Sequence, residues 1–139
     1  MIAHRDEPSL GNRFLVSIGE QDGREPAAGF AEVIFPPFDH AREGDAAPAN
    51  ADARPLLILG RGATGRLDLY EWWDAARHHK KPPTRTVTIQ LLGDGERPVL
   101  TWRFLGAHPV TLTYSPLNAI SGSVVMEQVA LAFERVEMA

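Results

Sequence analysis

The chain has no cysteine, which excludes disulfides, a thiolate nucleophile and every thiolate-ligated metal centre. It also has no apolar run near the ~20 residues that a membrane-spanning helix needs. Its opening residues, Met1-Ile2-Ala3-His4-Arg5-Asp6-Glu7-Pro8, lack the apolar stretch of a secretory leader. The expectation is a protein made and folded in the cytoplasm, without membrane insertion, that reaches the outside by lysis or within a particle. A basic excess is missing too: 14 Lys and Arg stand against 18 Asp and Glu, a formal charge of −4. That sign disfavours a gripped phosphate backbone, so no sequence-specific nucleic-acid binding is expected.

What remains is an ordinary globular composition. With 139 residues, 44% of them hydrophobic, one core can form without staples, and residues 1–139 are expected to be a single domain. Asn12 to Ile18 and Gly29 to Phe35 read as strands around the turn-forming run 19–26, a first hairpin. Pro36 and Pro37 stop the ladder, and the Ala, Asp, Pro and Gly mixture that follows predicts a long loop at about 36–54. Leu56 to Leu59 is a short buried strand, and Gly60-Arg61-Gly62-Ala63-Thr64-Gly65 is too glycine-rich to continue it.

The one convincing helix runs from Arg66 to about His79. Leu69, Trp72, Trp73 and Ala76 share a face, Thr64 is the candidate N-cap, and Pro82-Pro83 forbids continuation. Beyond it, Thr86 to Leu92 and Val99 to Leu105 alternate around Gly93-Asp94-Gly95-Glu96, a hairpin pattern. Val110 to Tyr114 predicts a further strand, Ser115 to Asn118 a turn, and Val124 to Glu137 a long curved strand or a helix. The fold expected is mainly β: an antiparallel β-barrel or sandwich of about seven strands, closed or nearly so, with one α-helix inserted mid-chain.

Each candidate chemical site fails on spacing. His78-His79 places the imidazoles roughly 100° apart around a helix, so they do not converge on a metal. Asp39-His40 is a lone pair without further ligands. Ser115, His108 and Asp94 are the ingredients of a nucleophilic triad, but no nucleophile elbow surrounds Ser115. Gly60 to Gly65 lacks the lysine of a phosphate-binding loop. Asp94 in Gly-Asp-Gly-Glu is explained by the hairpin turn without calcium. Tyr70, Trp72 and Trp73 offer stacking surfaces, yet helical spacing makes Trp72 and Trp73 core. No catalytic residue, cofactor or metal is expected, and the chain reads as a non-enzyme.

Several segments in order resemble the phage tail tube protein family, the inner-tube subunits of long-tailed phages and contractile injection systems. Leu59-Gly60-Arg61-Gly62-Ala63-Thr64-Gly65 followed by Leu69-Tyr70-Glu71-Trp72-Trp73 is similar to that family's L-x-R-G-x-T turn and tryptophan-rich helix start. Arg85 to Leu92, then Leu100-Thr101-Trp102-Arg103-Phe104 with Ala107 and Pro109, resembles the paired strands that come next. Leu117-Asn118-Ala119 and Met126-Glu127-Gln128-Val129-Ala130-Leu131-Ala132-Phe133-Glu134 resemble the closing turn and last strand, which resolves Val124 to Glu137 as strand. The chain departs from the family after Val33, where Ile34-Phe35-Pro36-Pro37-Phe38 and a polar loop replace a small S-G-L turn and a further strand.

The resemblance implies a structural subunit of the inner tube of a contractile phage tail or phage-tail-like injection system, in stacked hexameric rings that conduct DNA or effector cargo. Implied partners are other copies of the chain and the sheath, baseplate or tube initiator, tape measure and terminator proteins. Phe35, Phe38, His40, Arg42 and Arg54 fall in the segment that meets other subunits, and the polar rows Thr86, Thr88, Gln90 or Thr111, Thr113 are candidate channel linings. The departure leaves a baseplate-proximal tube initiator as an alternative. A second alternative is a small-ligand-binding β-barrel with Trp72, Trp73, Trp102 and Tyr114 around a cavity.

Overall fold

In the computed structural model, residues 9–19, 29–39 and 55–139 are described. Seven strands and one helix follow in order: β1 (Phe14–Gly19), β2 (Phe30–Ile34), β3 (Leu57–Gly62), α1 (Asp68–Arg77), β4 (Arg85–Leu92), β5 (Pro98–Tyr114), β6 (Met126–Ala132) and β7 (Arg135–Met138). A short 3-10 turn, Asp94–Glu96, joins β4 to β5 and turns through Gly95 at φ +71°. The expected hairpin there is present.

All seven strands belong to one antiparallel sheet ordered β1-β4-β5-β6-β3-β2, with β7 also on β5. Period-2 alternation builds its interior. Ile18, Val87 and Phe104 lie in register across β1, β4 and β5, and Leu59, Val129 and Leu112 do so across β3, β6 and β5. Both rows join one buried cluster, so β5 carries two halves of the sheet onto a common core.

β5 spans 17 residues, where the sequence predicts two strands. Its first half pairs with β4 along one side and β7 along the other, and its second half pairs with β6. Close to where the pairing changes over, Gly106 has a φ of +67°, which suits glycine, and Glu134 packs against it. Buried Pro109 donates no hydrogen bond, and it is accommodated at a register shift. The long final strand is likewise split into β6 and β7, on either side of Phe133-Glu134.

Four other expectations are corrected. β1 and β2 form no hairpin: β1 pairs with β4 and β2 with β3, at opposite edges of the sheet. Pairing partners are chosen by long-range packing, which a turn-rich sequence between two strands does not encode. Among the described residues the sheet therefore does not close on itself: β1 and β2 at its two ends each pair along one side only, as does β7 beside β5. β3 continues through Gly60, Arg61 and Gly62, because β2 on one side and β6 on the other pair with this stretch. Helix α1 begins two residues later than predicted: Leu67 occupies the N-cap without a side-chain bond, while Thr64 Oγ1 accepts only the Arg66 N–H, at 3.4 Å.

The buried face of α1 is Leu69, Trp72 and Ala76. Trp73, expected beside them, is half-buried, stacked against Tyr70 and under the Arg77 guanidinium at 4.9 Å. Arg85 lies over Trp72 at 5.0 Å. The loop at about 36–54 is described only as far as Asp39.

Candidate assembly site

The residues singled out for chemistry do not meet. Ser115 Oγ accepts the Met126 N–H at 2.8 Å and the Ser115 N–H donates to Met126 O at 2.9 Å, so this serine closes the base of the β5–β6 connection. His108 lies seven residues back along β5, roughly 20 Å at ~3.3 Å per residue, and Asp94 sits in the turn before that strand begins. His78 Nδ1 meets the Asp74 carbonyl at 2.8 Å and finishes the helix. Among the described residues, no three His, Cys, Asp or Glu side chains converge as a metal site would require. No helix among them is long and apolar enough to cross a membrane.

The tryptophans and Tyr114 do not enclose a common cavity either, which corrects the ligand-barrel alternative. Trp72 is in the core, Trp73 is on the helix surface, Trp102 stacks on Phe35 with centroids 4.7 Å apart, and Tyr114 is exposed at the end of β5. Of the candidate channel rows, Thr86 is buried and the Thr88 hydroxyl lies out of reach of solvent, while Thr111 and Thr113 are exposed.

Of the five residues proposed to touch other subunits, Phe35 and Phe38 are described; His40, Arg42 and Arg54 lie outside the described residues. Phe35 packs on Trp102 and Phe104, and Phe38 reaches Phe104 edge-on at 6.4 Å. Phe104 has no exposure, whereas Phe35 and Phe38 remain 38% and 51% exposed. One side of each ring therefore seals the core and the other is free. Pro36, buried between them, holds the segment onto the sheet.

The strongest polar feature is one that sequence reasoning passed over. Arg61, in the middle of the buried β3, is only 3% exposed. Its Nε donates to Glu127 Oε1 at 2.5 Å, and its two terminal nitrogens both reach Asp68, Nη1 meeting Oδ2 at 3.2 Å. The guanidinium also lies over the Phe30 ring at 5.4 Å. One side chain thus joins β2, β3, β6 and the first residue of α1. The fork geometry of arginine matches two carboxylates in a way a lysine ammonium would not.

The electrostatics follow from this packing. Burial opposes the charge on Arg61, but hydrogen bonds to Asp68 and Glu127 outweigh it and raise its pKa. The hydrogen bond from Arg61 holds Asp68 below the usual carboxylate range against its partial burial, with Arg66 adding a second positive charge 3.3 Å away. Tyr114, half-exposed as a residue, is pushed up by its partial burial and by the neighbouring Glu127 carboxylate. Arg61 and Glu127 form a fully internal pair, and Asp68 connects it to the surface. The arrangement fixes the geometry of the strands and helix that it joins.

A sequence model of the family described as T4-like virus tail tube protein gp19 matches residues 11–137. No curated protein matches the chain in sequence. Among solved structures, a chain of the sheath–tube complex of an extracellular contractile injection system, PVC, in its extended state is 23% identical. That match covers 96% of this chain and 93% of that one, with a TM-score of 0.74. A chain of the tube-terminating cap of the anti-feeding prophage is 22% identical over 100% and 99% of the two chains, with a TM-score of 0.73. Hcp1 from Flavobacterium johnsoniae is 17% identical over 90% and 94%, with a TM-score of 0.56. At these identities the likeness is one of fold.

Proposed function

Because the chain belongs to the T4-like virus tail tube protein family, we propose that it acts as an inner-tube subunit of a phage tail or contractile injection particle, in stacked hexameric rings that conduct cargo. The observation that carries this reading is the open sheet: among the described residues, β1 and β2 at its two ends each pair along one side only. An isolated protein with two such edges is exposed to uncontrolled pairing. A head-to-tail ring pairs one edge with the next copy's other edge, and such heterologous contacts close by rotation.

Under this proposal the whole chain is one tube domain with no catalytic role, and its partners are further copies, a sheath, a baseplate and a terminator. The likeness to chains of sheath–tube, baseplate and cap assemblies supports that partner set. The exposed halves of Phe35 and Phe38, with His40, Arg42 and Arg54 further along the same segment, would contact neighbouring subunits. The net negative charge would let a polyanionic or acidic cargo pass without adhering. Negative-stain microscopy of the purified chain tests the reading. Rings and rods with a central channel are expected, and a protein that stays monomeric at every concentration would overturn it.

A further inference from the structure

The connection between β5 and β6 carries three uncovered aliphatic side chains: Leu117 is 83% exposed, Ile120 96% and Val124 72%. Clustered exposed apolar groups mark contact surfaces more often than chance placement. This tip is also well held. Asn118 Oδ1 accepts the N–H groups of Ile120 and Ser121 at 2.9 and 3.2 Å. Ser115 and Met126 bond across its base, the Ala63 N–H donates to Val125 O at 2.7 Å, and the Arg61–Glu127 pair lies just beneath. The apolar side chains are therefore presented on a fixed knob.

The same chain has a mostly apolar cleft of about 310 Å³, lined by Phe14, Val33, Phe35, Leu91 and Trp102, with Gly11 and the one carboxylate of Glu32 beside them. It lies between β1 and β2, the end strands of the sheet. The tip extends past the Gly62–Met126 end of the β3–β6 ladder, whereas the cleft is at the Phe14–Leu91 end of the β1–β4 ladder. A copy's own tip does not enter its cleft, since the tip side chains stand in solvent.

We infer that the Leu117–Val124 tip of one copy seats in the Phe14–Val33–Trp102 cleft of the next. A knob and a socket on one chain make a heterologous contact, which repeats until a rotation closes it or a file extends. This inference rests on the tube reading and adds which two surfaces meet.

The absence of cysteine makes the test direct. In the full chain carrying Gly11→Cys and Ile120→Cys, neither substitution disturbs the fold, because a Cβ at Gly11 meets nothing within 4 Å and Ile120 is almost wholly exposed. Oxidising the assembled protein is expected to give a ladder of cross-linked dimers, trimers and higher species on a non-reducing gel, collapsed by reductant. Mixing the two single-cysteine variants is expected to give a dimer only when both are present. Ile120→Asp is expected to raise the protein concentration needed for assembly by at least about tenfold without moving the thermal midpoint.

Rings or rods that form normally yet yield no ladder would overturn the inference while leaving the tube reading intact. So would cross-linking of Ile120→Cys to itself, or unchanged assembly of Ile120→Asp. If the unmodified chain forms neither rings nor rods, both readings fall together.

Discussion

Replacing Arg61 by Met keeps most of the buried volume but leaves Glu127, whose side chain is 4% exposed, without its cation. Removing one partner of a buried ion pair typically costs about 3–5 kcal/mol, because the remaining charge stays desolvated and unpaired. The second partner, Asp68, is 40% exposed and recovers water when released, so it adds little to that cost. For a chain of this length each kcal/mol lowers the thermal midpoint by roughly 3–5 °C, so a fall of about 10–20 °C is expected. The assay is urea unfolding of the dissociated subunit at neutral pH, run as a double-mutant cycle with Glu127→Met. The double variant is expected to be more stable than Arg61→Met alone, since two apolar groups of similar size carry no desolvated charge. A loss below about 1 kcal/mol for Arg61→Met, or a double variant no more stable than the single, would refute the clamp.

Three further outcomes follow from the geometry. Asp68 has a folded-state pKa below its unfolded one, so its contribution is present above the ordinary carboxylate range and is lost as pH falls through the folded value. The stability gap between the native chain and Asp68→Asn is therefore expected to be constant near pH 7 and to vanish in strong acid; a gap independent of pH would contradict the assignment. At Gly106 a Cβ would come within 2.6 Å of Glu134 Cγ and Cδ at a φ of +67°, so Gly106→Ala is expected to cost at least about 1 kcal/mol in chemical denaturation. Ser115→Ala removes the hydroxyl that accepts the Met126 N–H and is expected to cost about 1 kcal/mol of stability while leaving ring assembly in place, as electron microscopy would show.

Features of the fold that depend on local pattern were legible in the sequence. Helix α1 follows from the spacing of Leu69, Trp72 and Ala76 and from the prolines after Lys81, and the β4–β5 hairpin from alternation around Asp94-Gly95. The misreadings arose where a partner far along the chain decides. Gly60 and Gly62 look like strand breakers, yet in place both are held in the ladder, Gly60 opposite Glu32 and Gln128 and Gly62 opposite Met126. Glu127 is a carboxylate within the apolar row of β6, but its partner Arg61 is 66 positions away, and no periodicity records that. The pairing of β1 with β4 was hidden for the same reason, since local turn chemistry says only that a strand ends.

The buried clamp bears on assembly through its position. Arg61 lies on β3 between the β2 edge on one side and β6, which leads back to the exposed tip, on the other. Its contact with Phe30 reaches the edge strand, and its bond to Glu127 lies one residue from the Met126 base of the tip. Loosening it would relax the β2 edge and the Leu117–Val124 knob together, while the Ile18–Val87–Phe104 row lies elsewhere in the sheet and stays packed. Local elements can lose order at a free-energy cost below that of global unfolding. Arg61→Lys, which keeps the charge but not the fork, is therefore expected to weaken ring formation by more than its loss of subunit stability accounts for. Measuring assembly and urea stability on the same sample checks this. Equal rank orders across Arg61→Lys, Arg61→Met and the native chain in both assays would show that the clamp acts on the fold alone.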